Sequence, residues 1–171
     1  MYKFTKYTLG FTLIELLVVI AIIGILASVI LSSLADARYQ AQVASAQSEL
    51  NGIYKAMEIL YNDTGLYPNK LKKYCPPSSY PNNEIWLNAS SSGLVATDGT
   101  YSGWNGPYIK KAIDPWGNPY RLDEDYQCLA ETVGCGGVAD ASTDSSVIYS
   151  CGKNGDCDYD ADNVILLFCH N

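Results

Sequence analysis

The sequence predicts an α+β fold in which a long N-terminal helix, half membrane-embedded and half amphipathic, packs on a small C-terminal antiparallel β-sheet. Three observations predict it. Leu13 to Leu31 reads LIELLVVIAIIGILASVIL, apolar apart from Glu15, and at ~1.5 Å per residue a helix of this length crosses most of a ~30 Å hydrocarbon core. Beyond it, Tyr39, Val43, Ala46, Leu50, Ile53, Met57 and Leu60 are spaced alternately four and three, which lays one apolar stripe on a helix, while Arg38, Gln42, Ser45, Gln47 and Glu49 fall off it. In the last third, Tyr120 to Leu122, Ser146 to Ser150 and Val164 to Cys169 are short runs rich in aromatic and β-branched residues between Gly and Asp clusters, the pattern of strands and turns.

No proline interrupts Thr12 to Tyr61, so the helix can run for about 50 residues, roughly 75 Å. Asn62, Asp63, Thr64 and Gly65 followed by Pro68 end it, because Gly accepts the left-handed cap and Pro cannot continue a helix. The heptad-like spacing is compatible with a coiled-coil dimer, but the following segment needs a surface to fold on, which favours packing onto the chain's own C-terminal part. Asn69 to Gly103 is rich in Pro, Ser and Gly and has little periodicity; it reads as a long loop with short strands or a helical turn near Ile85 to Asn88.

The 171 residues carry a formal net charge of -7 and no basic stripe, which excludes nucleic acid as the main partner. Lys3 and Lys6 precede the apolar run without an acid, whereas Asp36 and Arg38 follow it, so the positive-inside bias keeps the N-terminus cytoplasmic and exports the rest. All six cysteines, Cys75, Cys128, Cys135, Cys151, Cys157 and Cys169, fall on the exported side, which suggests disulfides. Cys128 with Cys135 and Cys151 with Cys157 each close a short Gly-containing loop; zinc is the rival reading, weakened by the lack of a C-x-x-C pair. Ala35 and Ala37 offer a signal-peptidase site, yet the apolar run is long for a secretory signal and an acid near its start is out of place there. An enzyme is not expected: the lone His170 is one residue from the end, and no G-x-S-x-G, H-E-x-x-H or P-loop pattern occurs.

Asn154, Asp156, Asp158, Asp160 and Asp162 alternate along one loop and offer hard oxygen donors of the kind Ca²⁺ takes, though without the glycine and glutamate spacing of an EF-hand. A plain solvated acidic loop is the other reading, and both stay open on the residues alone. Glu15 poses a sharper question, since a carboxylate deep in a bilayer costs on the order of 2.5 kcal/mol or more and asks for a partner.

Gly10 followed by FTLIELLVVIAIIGILA resembles the N-terminal signature of type IV prepilins and type II secretion pseudopilins. The resemblance implies a pilin fold, a leader of residues 1–10, cleavage between Gly10 and Phe11 by a prepilin peptidase, and methylation of Phe11. It also implies an assembly role for Glu15, paired with the amine of Phe11 on a neighbouring subunit. Residues 11–34 would form the transmembrane and assembly half of the helix. Residues 35–171 would form the exported domain, with the amphipathic helix to about 61, a variable loop at 69–103 and the sheet region at 104–171. WNGPYIKKAIDPWGNPYRL, Trp104 to Leu122, is similar to the major pseudopilins of type II secretion and reads physically as turn chemistry in which Trp116 and Tyr120 pack. Major pseudopilins bind calcium in the loop corresponding to Asn154–Asp162, although Cys151 and Cys157 flank the loop here. The function implied is a structural subunit of a secretion pseudopilus in the bacterial inner membrane. Its implied partners are further copies of itself, the peptidase, an inner-membrane assembly platform and minor pseudopilins. A type IV pilus major pilin is the alternative, and a minor pilin or adhesin, touching a ligand through Tyr80, Trp86 and Tyr101, is a further one.

Overall fold

A computed structural model describes residues 10–72, 84–126, 133, 145–157 and 162–170. Helix α1 spans Leu13–Thr64 without a break, in agreement with the proline-free run. It ends where Gly65 takes φ 70° and its N–H donates to the Tyr61 carbonyl at 2.7 Å, the left-handed cap that a Cβ would disfavour. The chain forms two compact units, one to Gln40 and one from Ala41, and α1 contributes to both.

In the first unit the apolar run is exposed among the described residues. The large apolar side chains from Leu13 to Leu31 are 46–88 % exposed. This stretch is long and apolar enough to cross a membrane by length and composition, with a mean hydropathy of 3.0 over its best window. The hydroxyl of Ser28 is satisfied within the helix by donating to the Ile25 carbonyl at 2.7 Å.

In the second unit the predicted stripe is the core. Val43, Ala46, Leu50, Ile53, Met57 and Leu60 are buried, Ala56 joins them, and Tyr39, just before the unit begins, is half-buried. Burying Leu50, Met57 and Leu60 contributes about 1.5–3 kcal/mol each. The helix packs on a four-stranded antiparallel sheet of strands β1 (Ile85–Trp86), β2 (Arg121–Tyr126), β3 (Ser145–Ser150) and β4 (Val164–His170), hydrogen-bonded in that order. The stripe is thus spent on the chain's own sheet, as favoured over a coiled coil.

Register decides what each face carries. Ile85 pairs with Leu122, Leu122 with Ile148, and Ile148 with Leu166, so these four share a face. Phe168, two residues beyond Leu166, meets Tyr54 of the helix at 5.9 Å between ring centroids, which identifies that face as the one under α1. The opposite face carries Trp86, Arg121 and Tyr149 in one row and Asp123, Val147 and Leu167 in the next. A bulge between Asp123 and Tyr126 sets Glu124 and Asp125 against Ser146 alone. It brings Tyr126, which strict alternation would send under the helix, onto the face of Tyr149. There Tyr126, Val147, Tyr149, Cys151 and Ile165 form a second buried cluster.

Candidate functional site: the capped helix start and the acidic loop

At the start of α1 the carboxylate questioned from sequence has a local partner. Glu15 Oε2 accepts from the Thr12 N–H at 2.9 Å and from the Thr12 hydroxyl at 2.7 Å, while Thr12 Oγ1 accepts from the Glu15 N–H at 3.3 Å. This is a capping box, T-x-x-E, in which two helix-start amides that lack an intrahelical acceptor are satisfied reciprocally. The T-x-x-E spacing of Thr12 and Glu15 is itself a sequence signal of a helix start. Gly10 and Phe11 precede the helix in non-helical conformation and are exposed, with no atom within 4 Å of the position a Gly10 Cβ would take. Helix α1 carries Glu15 on its first turn, where the macrodipole favours negative charge.

The second site is the loop between β3 and β4. Cys151 and Cys157 are joined by a disulfide with Cα atoms 4.6 Å apart, the expected pairing; it leaves neither sulfur for zinc. Cys128 with Cys135 lies outside the described residues. Gly152 and Gly155 both take the left-handed conformation, at φ 68° and 73°. Gly152 sits flush against Asp162, whose carbonyl oxygen would lie 2.3 Å from a Cβ at that position. The loop therefore needs glycine here for both conformation and space.

Of the five predicted donors the structure places three. Asp162 Oδ2 accepts from the Asn154 N–H at 3.1 Å, and Asn154 Oδ1 accepts from the Asp156 N–H at 2.7 Å. Asp158 and Asp160 lie outside the described residues. Among those described, no three His, Cys, Asp or Glu side chains converge as a metal cage. The donors present fit calcium in kind, since Asn and Asp oxygens on a loop of tight turns are hard ligands.

Trp104 to Leu122 is tied to the C-terminal half of α1, to Gly93 and to the β3–β4 loop. Trp104 Nε1 donates to the Gly93 carbonyl at 2.6 Å, and Tyr108 donates its hydroxyl proton to Asp63 Oδ2 at 2.8 Å while accepting from the Asn105 N–H at 3.0 Å. Gly103, at φ 82°, lies so near the end of α1 that a Cβ would stand 2.6 Å from the Asp63 carbonyl oxygen. Tyr120 is buried, as expected of a packing residue, and its hydroxyl donates to Glu49 Oε2 at 2.9 Å. Burial and then the Glu49 carboxylate push the Tyr120 hydroxyl far up from its ordinary value, so it stays protonated as a donor.

The segment considered as a ligand-binding loop is partly closed to that role. Tyr101 is buried and donates to the Ser91 carbonyl at 2.8 Å, with burial raising its pKa to about 12. Trp86 is exposed but carries the Arg121 guanidinium 4.6 Å from its ring centroid, and Arg121 in turn pairs with Glu84. Tyr80 lies outside the described residues.

Comparison with known proteins adds three findings. Residues 6–31 match the model of the prokaryotic N-terminal methylation motif. The type II secretion system core protein G of Aeromonas hydrophila is 33 % identical over 114 residues, 66 % of this chain and 71 % of the relative. That of Vibrio cholerae is 30 % identical over 122 residues, 71 % of this chain and 73 % of the relative. The type IV major pilin protein PilE1 of Neisseria gonorrhoeae is 34 % identical over 111 residues, 63 % of this chain and 62 % of the relative. No solved structure gives a significant match.

Proposed function

This chain belongs to the type IV pilin-like family, and we propose that it is the major structural subunit of a type II secretion pseudopilus, polymerising through α1 after cleavage between Gly10 and Phe11 and methylation of Phe11. As in the rest of the family, its role is structural and not enzymatic. The observation that carries the polymer reading is the uncovered apolar surface of Leu13–Leu31. Such a surface is stable only in lipid or against other helices of its kind. Before processing, the Phe11 nitrogen is an amide, and among the described residues Glu15 takes its hydrogen bonds from Thr12. Cleavage creates an ammonium group that a neighbour's Glu15 can meet, and in a low-dielectric helix packing this pairing sets the register of assembly. Removing one member of such a buried pair costs about 3–5 kcal/mol.

A secretion pseudopilus is favoured over a pilus by the resemblance of Trp104 to Leu122 to the major pseudopilins, since core protein G of Aeromonas and the gonococcal pilin are about equally identical to this chain, at 33 and 34 %. The DPWGNPY turn beside the acidic loop supports the same choice. The subunit would be anchored in the inner membrane with its N-terminus cytoplasmic and residues beyond the anchor exported. It would meet the prepilin peptidase, an assembly platform and minor pseudopilins there. Asn154, Asp156, Asp158, Asp160 and Asp162 would offer oxygen to a calcium ion that, with the Cys151–Cys157 bridge, pins the β3–β4 loop.

The mass of the N-terminal peptide from the native envelope tests the core of this reading. A peptide beginning at methylated Phe11 is expected. Retention of Met1–Gly10 in the mature protein removes the charge that Glu15 needs and sinks the filament assignment. Glu15→Ala should still be processed yet fail to form filaments seen by electron microscopy.

A further inference from the structure

The sequence presents the DPWGN turn and the acidic loop as separate motifs; the structure joins them through buried hydrogen bonds. We infer that Asp114 and Asn118 are positioning residues for Gly152–Cys157 and, through Gly152, for Asp162, so that the conformation of these residues, and any cation affinity they have, depend on a turn some three dozen residues away in sequence. The cation part of this inference rests on the calcium reading above; the seating of the loop does not.

Asp114 is buried and closes its own turn. Its Oδ1 accepts from the Trp116 N–H at 3.0 Å and the Asn118 N–H at 2.8 Å, and its N–H donates to the Asn118 carbonyl at 2.8 Å. Its other oxygen, Oδ2, accepts from the hydroxyl of Ser150, which is fully buried at the end of β3. Ser150 Oγ accepts in turn from the Gly152 N–H at 3.0 Å. Asn118 takes the other side of the same residue, donating from Nδ2 to the Gly152 carbonyl at 3.0 Å. Both polar groups of the Gly152 backbone are therefore held from one turn. Gly152 is the residue pressed against Asp162, and Asp162 Oδ2 accepts from the Asn154 N–H. Further along, Asn118 Oδ1 lies 3.2 Å from where a Gly155 Cβ would stand, so the same amide also borders the second turn of the loop.

The chain of contact runs from Asp114 through Ser150 and Gly152 to Asp162 and Asn154, two of the candidate oxygen donors. A buried carboxylate with three donors converging on it does not rotate freely, and what hangs from it inherits that rigidity. Groups that orient ligands without touching the ion govern affinity in this way.

The test uses the full-length chain in detergent with its disulfide intact, as wild type, Asn118→Ala and Asp114→Asn, with Asp98→Asn as a control at an exposed turn. Amide exchange of residues 151–157 is followed in EGTA, and the calcium midpoint is read from thermal shift. For Asn118→Ala, which removes no buried charge, exchange in the loop should quicken about tenfold. Its calcium midpoint should rise about tenfold or more, while its Tm in EGTA stays near that of the wild type. Asp114→Asn should move the same readouts further if it folds, and Asp98→Asn should move neither. Unchanged exchange in the folded Asn118→Ala overturns the inference, as does quicker exchange with an unmoved calcium midpoint. A wild type that ignores calcium removes the cation reading and leaves exchange alone to decide the seating: quickened loop exchange in Asn118→Ala then upholds it, and unchanged exchange overturns it.

Discussion

Asp123 shows how one side chain can set a pH response. It lies in β2 at the bulge, almost wholly buried; its Oδ1 accepts from the Asp125 N–H at 2.9 Å. Burial, then the neighbouring Asp125 and Glu84 carboxylates, push its pKa up to about 8. An acid whose folded pKa exceeds its unfolded value of about 3.9 favours the fold while protonated. Its contribution is fully present below that unfolded value and is lost as pH rises through the folded one. The Tm should therefore carry a component that falls between pH 4 and 8, and Asp123→Asn should remove that component and raise the Tm at pH 8. A variant with the wild-type slope would place the ionisation elsewhere. Glu124, its neighbour, is buried on the helix side and accepts from the Ser146 hydroxyl at 2.6 Å. Two adjacent acids thus face opposite sides of one strand with different partners.

At the scale of elements, two glycines of α1 and its surroundings make opposite forecasts. Gly52 lies exposed within the helix, with no atom within 4 Å of a Cβ position. Gly52→Ala should stabilise the folded chain by roughly 0.5–1 kcal/mol, since helix-interior glycine loses the most backbone freedom. Gly103 is the reverse case: it holds φ 82° and abuts the Asp63 carbonyl. Gly103→Ala should destabilise by about 2 kcal/mol or more. Denaturant midpoints measured side by side check both signs, and equal midpoints would mean that the loop does not clamp the helix end. From Trp104 to Tyr108 the chain is held by hydrogen bonds to Gly93 and Asp63 rather than by a repeating pattern.

For the molecule as a whole, the division at Gln40 and Ala41 separates a helix with no core from a unit that has one. A fragment from Ala41 to Asn171 should fold without detergent and stay monomeric. Its stability should differ from that of the full chain by less than about 1 kcal/mol, a few degrees in Tm, because it keeps every core residue of the sheet and its helix. Precipitation or non-cooperative melting of that fragment would show that the apolar helix contributes to the fold as well as to anchoring. The full chain, by contrast, should partition entirely into membranes or detergent.

How far the sequence reaches follows from the range of the forces involved. The helix from Thr12 to its glycine cap, the stripe that became the core, three of the strands and the Cys151–Cys157 bridge were legible because periodicity, capping and short loop closure act within a few residues. The helix-start signature and the Thr12–Glu15 spacing are local for the same reason. β2 runs on through Leu122 to Tyr126 although Asp123, Glu124 and Asp125 disfavour a strand; long-range pairing with β3 and the partner Ser146 override local propensity. The bulge that turns Tyr126 to the second cluster, the burial of Tyr101 and the joining of Asp114 to Gly152 likewise belonged to tertiary structure alone. Each depends on residues brought together by strand register from distant parts of the chain, and register is a property of the assembled sheet that no local window contains.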